Sequence, residues 1–189
     1  MGQKHDDRRS AAGTRIDVIN RKPQPKRSTT YLLLGSDTGD REKHINDACN
    51  FVKNETGNIT AESSMYISEA WGFDSDLMFF NKVIAVETEL NVFEILNITQ
   101  KIELKLGRTH KTAGKYQSRI IDIDILFYDD KIIKTSHLEI PHPQIPNRRF
   151  TLLPLSEIAP DFIHPALNKS ISQMLADCKD DKKAERIVV

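Results

Sequence analysis

Two aspartates, one residue apart within an apolar segment, are the most informative residues of this sequence. Asp122 and Asp124 alternate with Ile121, Ile123 and Ile125. Side chains alternate between the faces of a strand, so the carboxylates should share one face and the isoleucines the other. Two such carboxylates lose hydration and repel each other unless cations neutralise their charges. Carboxylate oxygens are suitable ligands for Mg²⁺. The pattern predicts a magnesium site, although a solvated face of an exposed edge strand would look the same.

A glycine-containing basic segment comes immediately before this strand. Its fixed positive charges are Arg108, Lys111, Lys115 and Arg119. Arginine makes bidentate contacts with phosphate and lysine supplies a point charge. The chain has 27 basic and 27 acidic residues, so its formal net charge is zero and any functional charge must be local. The segment is either a solvated connection or, beside two carboxylates, a clamp for a metal-bound polyanion.

Two further clusters contain residues suited to ligand binding. His142 lies between two prolines and is followed by Arg148, which is consistent with phosphate contacts or with an ordinary surface histidine. Trp71, Phe79 and the neighbouring Asn81 could enclose a flat heterocycle and read its edge. Taken alone, these rings are equally compatible with ordinary core packing.

The elements that carry these residues follow from hydrophobic periodicity. Strands are predicted at 30–34, 59–67, 79–90 and 120–128, with a short strand at 132–133. One helix is predicted after Asp40, and a second after the Asn91/Glu94 capping box, ending at Gly107. Short helices are expected near 152–158 and 171–176. This order predicts an α+β ferredoxin-like sandwich, an antiparallel sheet with helices on one face and an open ligand-binding face.

Composition divides the chain into two parts. Residues 1–28 are basic and interrupted by Pro23 and Pro25, which predicts a disordered tail, whereas 29–189 should form a single domain. Cys49 and Cys178 provide neither a disulfide framework nor a zinc site. No apolar run approaches the roughly 18 residues that span a bilayer. The neutral charge argues against a nucleic-acid partner. Because the sequence shows neither a spanning segment nor the apolar stretch of a secretory signal, a cytoplasmic protein without a membrane partner is expected.

Six motifs resemble one enzyme family. In order, they are Leu34-Gly35-Ser36, Gly107-Arg108, Arg119-x-x-Asp122-x-Asp124, Ile140-Pro141-His142-Pro143, Arg148-x-Phe150 and Leu155-x-Glu157-Ile158-Ala159-Pro160-Asp161. Together they resemble 6-hydroxymethyl-7,8-dihydropterin pyrophosphokinase over about residues 30–168. The resemblance departs at Asp37, where the family usually has asparagine, and at one extra residue before Arg119.

The resemblance implies a diphosphokinase (EC 2.7.6 type) of folate biosynthesis, expected to be a monomer. It would transfer pyrophosphate from ATP to the pterin and release AMP, with two Mg²⁺ ions held by Asp122 and Asp124. The implied catalytic residues are Arg108, Arg119, Asp122 and Asp124. The implied ATP contacts are Gln100, Glu103, Arg108, Lys115, Tyr116, Arg119, Ile125, His142 and Arg148. The implied pterin contacts are Ser68, Trp71, Phe79, Asn81 and Phe150.

Two other functions use similar features. Nucleotidyltransferases of the polymerase-β type pair Gly-Ser with Asp-x-Asp on consecutive elements, whereas most of the domain separates Ser36 from Asp122 here. A ferredoxin-like RNA-binding module would place aromatic rings on the open sheet face to stack bases. The two carboxylates argue against it, because they would repel the RNA phosphates.

Overall fold

A computed structural model describes residues 26–73, 76–108 and 119–188. Most of the predicted tail at 1–28 lies outside these residues, as do Lys111, Lys115 and Tyr116 of the basic segment. Within them, no helix combines the length and the apolar character required to cross a bilayer.

The described chain alternates short strands with four α-helices. The strands are β1 (Ser28–Ser36), β2 (Asn58–Glu62), β3 (Tyr66–Ser68), β4 (Phe79–Thr88), β5 (Asp122–Tyr128), β6 (Ile133–Lys134), β7 (Glu139–Ile140) and β8 (Ala184–Arg186). The helices are α1 (Arg41–Glu55), α2 (Val92–Lys105), α3 (Arg149–Ile158) and α4 (Ile171–Asp177), with a 3₁₀ turn at Ile145–Asn147 before α3.

Six of the strands form one antiparallel sheet. Its order is β5-β1-β4-β3-β8, and β2 pairs with β4 beside β3. The strands β6 and β7 form a separate hairpin. The predicted α+β ferredoxin-like architecture is therefore confirmed, and the strand that carries the aspartates is an edge strand paired with β1.

The helix ends follow the predicted capping residues. The Asp40 side chain accepts a hydrogen bond from the Lys43 backbone at 3.1 Å and begins α1. Asn91 and Glu94 form the predicted capping box of α2. Gly107 follows α2 with a φ of 103°, a left-handed conformation that favours glycine. These local signals fix where α2 stops and where the basic segment begins.

The strand predicted at 59–67 is two strands rather than one. Ser63 separates β2 from β3, because its Oγ accepts a hydrogen bond from the Val83 backbone at 3.0 Å. The Ser63 backbone N–H also donates to the Val83 carbonyl at 2.9 Å. This local pairing interrupts the regular ladder with β4. The sequence pattern also did not predict β8, which adds to the free edge of β3.

The sheet separates two hydrophobic cores. One core lies under α1 and α2 and contains Ile121, Ile123 and Ile125, as the alternation of β5 predicted. The other core packs α3 and α4 against residues of β1, β4 and β5 such as Leu33 and Phe127. The helices α3 and α4 therefore cover part of the sheet face that was predicted to be open for ligand binding. The remainder forms a concave surface that contains the two aspartates.

Candidate active site

The two aspartates lie at the start of β5, opposite the end of β1. Asp122 is paired with Gly35 and Asp124 with Leu33. Gly35 is also paired with Asn81 on β4, so it lies between the acidic strand and the central strand. The side chains of Asp122 and Asp124 are 29% and 33% exposed, which leaves their oxygens accessible to a ligand.

Asp122 is in contact with two arginines that flank the basic segment. Its Oδ1 lies 2.9 Å from Nη1 of Arg108, and its Oδ2 accepts a hydrogen bond from Nη1 of Arg119. Arg108 also contacts the carboxylate of Glu103 on α2. The two arginines thus compensate a carboxylate charge that is partly removed from water.

Asp124 faces the segment that precedes α3. Its Oδ2 lies 3.5 Å from Nη1 of Arg148 and 4.0 Å from Nε2 of His142. Burial, followed by repulsion from Asp122, raises the pKa of Asp124 to about 6. Both causes disfavour a second negative charge at this position. The positive charge of a bound cation would offset their effect on the carboxylate.

Glu103 connects α2 to the acidic strand. The side chain is buried, and Oε1 accepts a hydrogen bond from the Ile123 backbone N–H at 2.7 Å. Burial raises the pKa of Glu103 to about 7, and the charge of Asp122 adds to this effect. The Ile123 contact holds the carboxylate against the backbone between the two aspartates.

The backbone holds His142 against the outer edge of β5, where its N–H donates to the Leu126 carbonyl at 2.9 Å. The preceding Ile140–Pro141 peptide bond is cis. Nδ1 of His142 accepts a hydrogen bond from the Gln144 backbone at 3.2 Å, which assigns the proton of the neutral ring to Nε2. Burial, together with the charge of Arg148, lowers the pKa of His142 to about 4. The ring is therefore neutral at pH 7 and presents an N–H donor on the side of Asp124.

A cavity of about 250 Å³ lies on the concave face beside the aspartates. We call it the aromatic cavity, because four of its lining residues are Trp71, Phe73, Phe79 and Phe150. Its polar lining includes Ser68, Asn81, Arg119, Asp122, Asp124 and Arg148. The Asn81 amide donates to Ser68 Oγ at 2.9 Å, which orients the buried amide within this lining. Flat rings with a fixed amide at one edge suit a planar heterocycle.

Arg148 joins the charged and aromatic parts of the cavity. Its guanidinium carbon lies 4.8 Å from the centre of the Trp71 ring and 5.7 Å from that of Phe150. Both distances are within the range of cation–π contacts. Among the described residues, Nε of Arg148 finds no hydrogen-bond partner and is buried.

A second cavity, of about 530 Å³, lies between α2 and β5. We call it the α2 cleft; its lining includes Thr99, Gln100, Glu103, Arg108 and His137. Arg119, Asp122 and Asp124 line both the aromatic cavity and the α2 cleft. Two ligands, one in each cavity, would therefore meet at the same two carboxylates.

Most of the residues predicted for the site converge on these two cavities. The predicted pterin contacts Ser68, Trp71, Phe79, Asn81 and Phe150 all line the aromatic cavity. The exceptions are among the predicted ATP contacts. The Ile125 side chain is 4% exposed in the core under α1 and α2, and this residue lines neither cavity. His142 also lies outside the linings of both cavities, although its Nε2 is 4.0 Å from Oδ2 of Asp124. Lys115 and Tyr116 lie outside the described residues.

Asp37 lines the aromatic cavity. The sequence showed only that it departs from the asparagine usual in the family and predicted no contact for it. The Arg119 backbone N–H donates to Asp37 Oδ1 at 2.6 Å, and the Asp37 backbone N–H donates to the Arg119 carbonyl at 3.2 Å. Glu69 also lines the aromatic cavity without having been predicted. His137 lines the α2 cleft, and nothing in its sequence surroundings indicated this.

The donor set at the acidic strand is small. Among residues 26–73, 76–108 and 119–188, no group of three or more His, Cys, Asp or Glu side chains could hold a metal ion. Two carboxylates alone suit Mg²⁺, which keeps several waters and takes further oxygens from a bound phosphate. A structural zinc site would need about four protein ligands.

Comparison with known proteins adds an independent finding. Residues 31–160 match the sequence model of the family described as 7,8-dihydro-6-hydroxymethylpterin-pyrophosphokinase (HPPK). Over 137 residues the chain is 43% identical to the 2-amino-4-hydroxy-6-hydroxymethyldihydropteridine pyrophosphokinase of Porphyromonas gingivalis; this covers 71% of the chain and 92% of that relative. Over 146 residues it is 40% identical to the enzyme of the same name from Aquifex aeolicus, covering 77% and 89%.

Solved structures agree on the fold. A crystal structure of the Plasmodium falciparum HPPK-DHPS triple mutant with SDX-DHP superposes with a TM-score of 0.65 at 19% identity. The match covers 82% of this chain and 45% of that one, so the chain spans less than half the length of this structural relative. At this identity, the similarity concerns the fold alone.

Proposed function

Because the chain belongs to the 7,8-dihydro-6-hydroxymethylpterin-pyrophosphokinase family, and is accordingly a pyrophosphokinase of folate biosynthesis, we propose a site for each participant in its reaction. The pterin occupies the aromatic cavity, ATP enters through the α2 cleft, and two Mg²⁺ ions bind at Asp122 and Asp124. The observation that carries this assignment is that the two cavities share Arg119, Asp122 and Asp124.

The aspartates suit magnesium by their chemistry and their surroundings. Both present partly exposed oxygens on one strand face, and burial with mutual repulsion raises the pKa of Asp124 to about 6. Such a pair ionises fully more easily when a hard divalent cation neutralises its charge. When bound, the ions would neutralise charge on the triphosphate and on the attacking and departing oxygens.

The pterin proposal rests on the rings and the buried amide of the aromatic cavity. Phe79 and Phe150 supply rings for the two faces of the bicycle, and Trp71 extends the apolar wall. Asn81 is held by Ser68 and can read donor and acceptor groups along the ring edge. This arrangement directs the hydroxymethyl arm towards the aspartates that line the same cavity.

The phosphate contacts are assigned to the arginines whose positive charges balance the two aspartates in the structure. Arg108 and Arg119 contact Asp122, and Arg148 lies 3.5 Å from Asp124. With Mg²⁺ held by the carboxylates, these guanidiniums would be able to turn towards phosphate oxygens, which arginine can bind in a bidentate manner. Neutral His142 adds its Nε2 donor, while Gln100 and Glu103 line the nucleotide side of the cleft.

In the proposed reaction, the pterin hydroxyl attacks the β-phosphorus of ATP and AMP leaves. Holding both substrates in line against the same strand supplies most of the acceleration, because phosphoryl chemistry depends mainly on positioning and charge neutralisation. In this proposal Asp124 also takes the hydroxyl proton. Lys115 and Tyr116 stay ATP contacts implied by the family resemblance.

The cellular setting is proposed from the sequence. We expect a cytoplasmic monomer that acts on small molecules, with neither nucleic acid nor membrane as partner. The basic tail at 1–28 is assigned no part in the reaction.

Identification of the nucleotide product tests the proposal. The protein is incubated with ATP, Mg²⁺ and 6-hydroxymethyl-7,8-dihydropterin, and nucleotides are separated by chromatography. AMP formed in equal amount to the pterin diphosphate is expected. Release of pyrophosphate would indicate nucleotidyl transfer, and ADP would indicate single phosphoryl transfer; either result would contradict the proposal.

A further inference from the structure

The N-terminus of α3 carries one wall of the aromatic cavity and takes its capping group from a distant part of the chain. Arg148 and Phe150, which line the cavity, flank Arg149 at the first position of the helix. The residue at the N-cap provides no side-chain hydrogen bond. Instead, the Arg149 backbone N–H donates to Oδ2 of Asp180 at 2.9 Å. The direction in which α3 begins therefore depends on Asp180.

The same aspartate begins the segment that leads into β8. Its Oδ1 accepts a hydrogen bond from the Lys182 backbone at 3.2 Å, so both carboxylate oxygens are engaged. The chain then pairs with β3, with Ala184 opposite Ser68. The Glu69 backbone N–H also donates to the Lys183 carbonyl at 3.0 Å. We call residues 180–186 the C-terminal strap.

The strap thus connects two opposite walls of the aromatic cavity. At one end Asp180 holds the start of α3, and at the other β8 holds Ser68 and Glu69, which precede Trp71. Across the cavity the Arg148 guanidinium lies 4.8 Å from the Trp71 ring. The strap also lies beyond residues 31–160, which are those matched by the family's sequence model.

We propose that Asp180 is a positioning residue that fixes the separation between the α3 wall, which carries Phe150, and the opposite wall, where Ser68 of β3 is paired with Phe79. This inference rests on the proposed function for the identity of the ligand, but not for the geometry. Because Asp180 acts mainly through Phe150 and β3, its loss should weaken pterin binding more than ATP binding, in which only Arg148 among the affected residues takes part. A helix cap that served stability alone would lower the melting temperature without changing the substrate constants of the folded enzyme.

Steady-state kinetics of Asp180→Ala and Asp180→Asn provide the test. Asp180→Ala is expected to raise KM for the pterin about tenfold and KM for ATP by about threefold at most, because the misplaced wall carries Phe150 as well as Arg148, a proposed phosphate contact. Asp180→Asn retains an acceptor oxygen and should restore the pterin KM. Asp177→Ala is the matched control, because the carboxylate of Asp177 pairs only with exposed Lys169 among the described ion pairs. Equal kinetic constants for the Ala variants at positions 177 and 180 would overturn the proposal.

Fluorescence of Trp71 gives a readout that does not depend on the pterin. It is the one tryptophan of the chain, and it lies on the wall opposite Arg148. Acrylamide quenching of Trp71 should increase about twofold in Asp180→Ala and remain unchanged in Asp177→Ala, because the wall would open locally. A wild-type protein that did not use the pterin would refute the proposed function alone, since the quenching comparison would still decide the positioning role.

A second variant keeps the proposal testable if Asp180→Ala does not fold. Two glycines inserted between Asp181 and Lys182 lengthen the strap while retaining the Asp180 cap and the pairing of β8. The inserted variant should also raise the pterin KM and the quenching of Trp71. Unchanged values in this folded variant would show that the strap does not set the wall separation, and the proposal would fail.

Discussion

Asp37 and Arg119 hold each other through two backbone-mediated hydrogen bonds, of 2.6 Å and 3.2 Å, at the point where the basic segment rejoins the described fold. Asp37 directly follows β1 and is buried, whereas the Arg119 guanidinium contacts Asp122. The end of β1 thus fixes the backbone from which a proposed phosphate-binding arginine extends.

This relationship predicts how substitutions at position 37 will act. Asp37→Ala should lower kcat/KM by about tenfold to a hundredfold, because small misplacements of a charge-bearing group are costly in phosphoryl transfer. Asp37→Asn should stay within about threefold of wild type, since its amide oxygen can accept the same bond. Initial rates of AMP formation measure both variants. Equal losses in both would show that the charge of Asp37, and not its acceptor, is what matters.

The second prediction concerns the number of metal ions. With an ATP analogue that carries a non-cleavable α,β bridge, titration with Mn²⁺ followed by electron paramagnetic resonance should give two bound ions per wild-type chain. Asp122→Asn should lower this number and reduce turnover by about 10³-fold, because charge stabilisation at the reacting oxygens is lost. Asp130→Asn is the control, since Asp130 is an exposed turn residue after β5. A single ion in the wild type would refute the two-ion proposal.

The raised pKa of Asp124 predicts a pH dependence of metal binding. Its value of about 6 lies above the ordinary range of an aspartate, so below pH 6 protons compete with the cation for this carboxylate. Mg²⁺ affinity of the nucleotide-free protein should fall by about tenfold per pH unit below this value and level off above it. Isothermal titration between pH 5 and pH 8 measures the effect. Constant affinity down to pH 5 would contradict it.

Burial predicts unequal reactivity of the two cysteines. The thiol of Cys49 is 8% exposed on α1, and burial raises its pKa to about 11. Cys178 is free and only half-buried. N-ethylmaleimide should therefore modify Cys178 in the native protein and leave Cys49 intact, because the thiolate is the reactive form. Peptide mass mapping measures each site, with denatured protein as the reference in which both react. Equal labelling rates in the native protein would contradict the placement of Cys49.

Features encoded over a few residues were predictable from the sequence. The alternation around Asp122 and Asp124 places both side chains at the site and the isoleucines in the core. The capping box at Asn91 and the glycine at 107 fix the ends of α2. In each case the decisive contact lies within one strand or one helical turn, so the local pattern contains it.

Features that depend on distant contacts were not predictable in this way. Ser63 interrupts a regular alternation because it pairs with Val83, twenty residues further along the chain. The position of Asp180 at the start of α3 and the pairing of β8 with β3 also arise only after the sheet has formed. The basic segment is predicted from its charges, its glycine and the family resemblance. Most of it lies outside the described residues, so the roles of Lys115 and Tyr116 stay predictions.

The pairing of Gly35 with both Asn81 and Asp122 has a consequence for substrate choice. Hydrogen-bonded strands lie about 4.8 Å apart, so the backbones that carry the amide and the first carboxylate are separated by about 10 Å. This interval is a fixed property of the sheet and cannot be adjusted by rotating side chains. Under the proposed function, this fixed separation favours a ring system that binds at Asn81 and extends its reactive arm over Gly35 to Asp122. Compounds with a shorter or longer arm would place the reacting hydroxyl away from the two carboxylates.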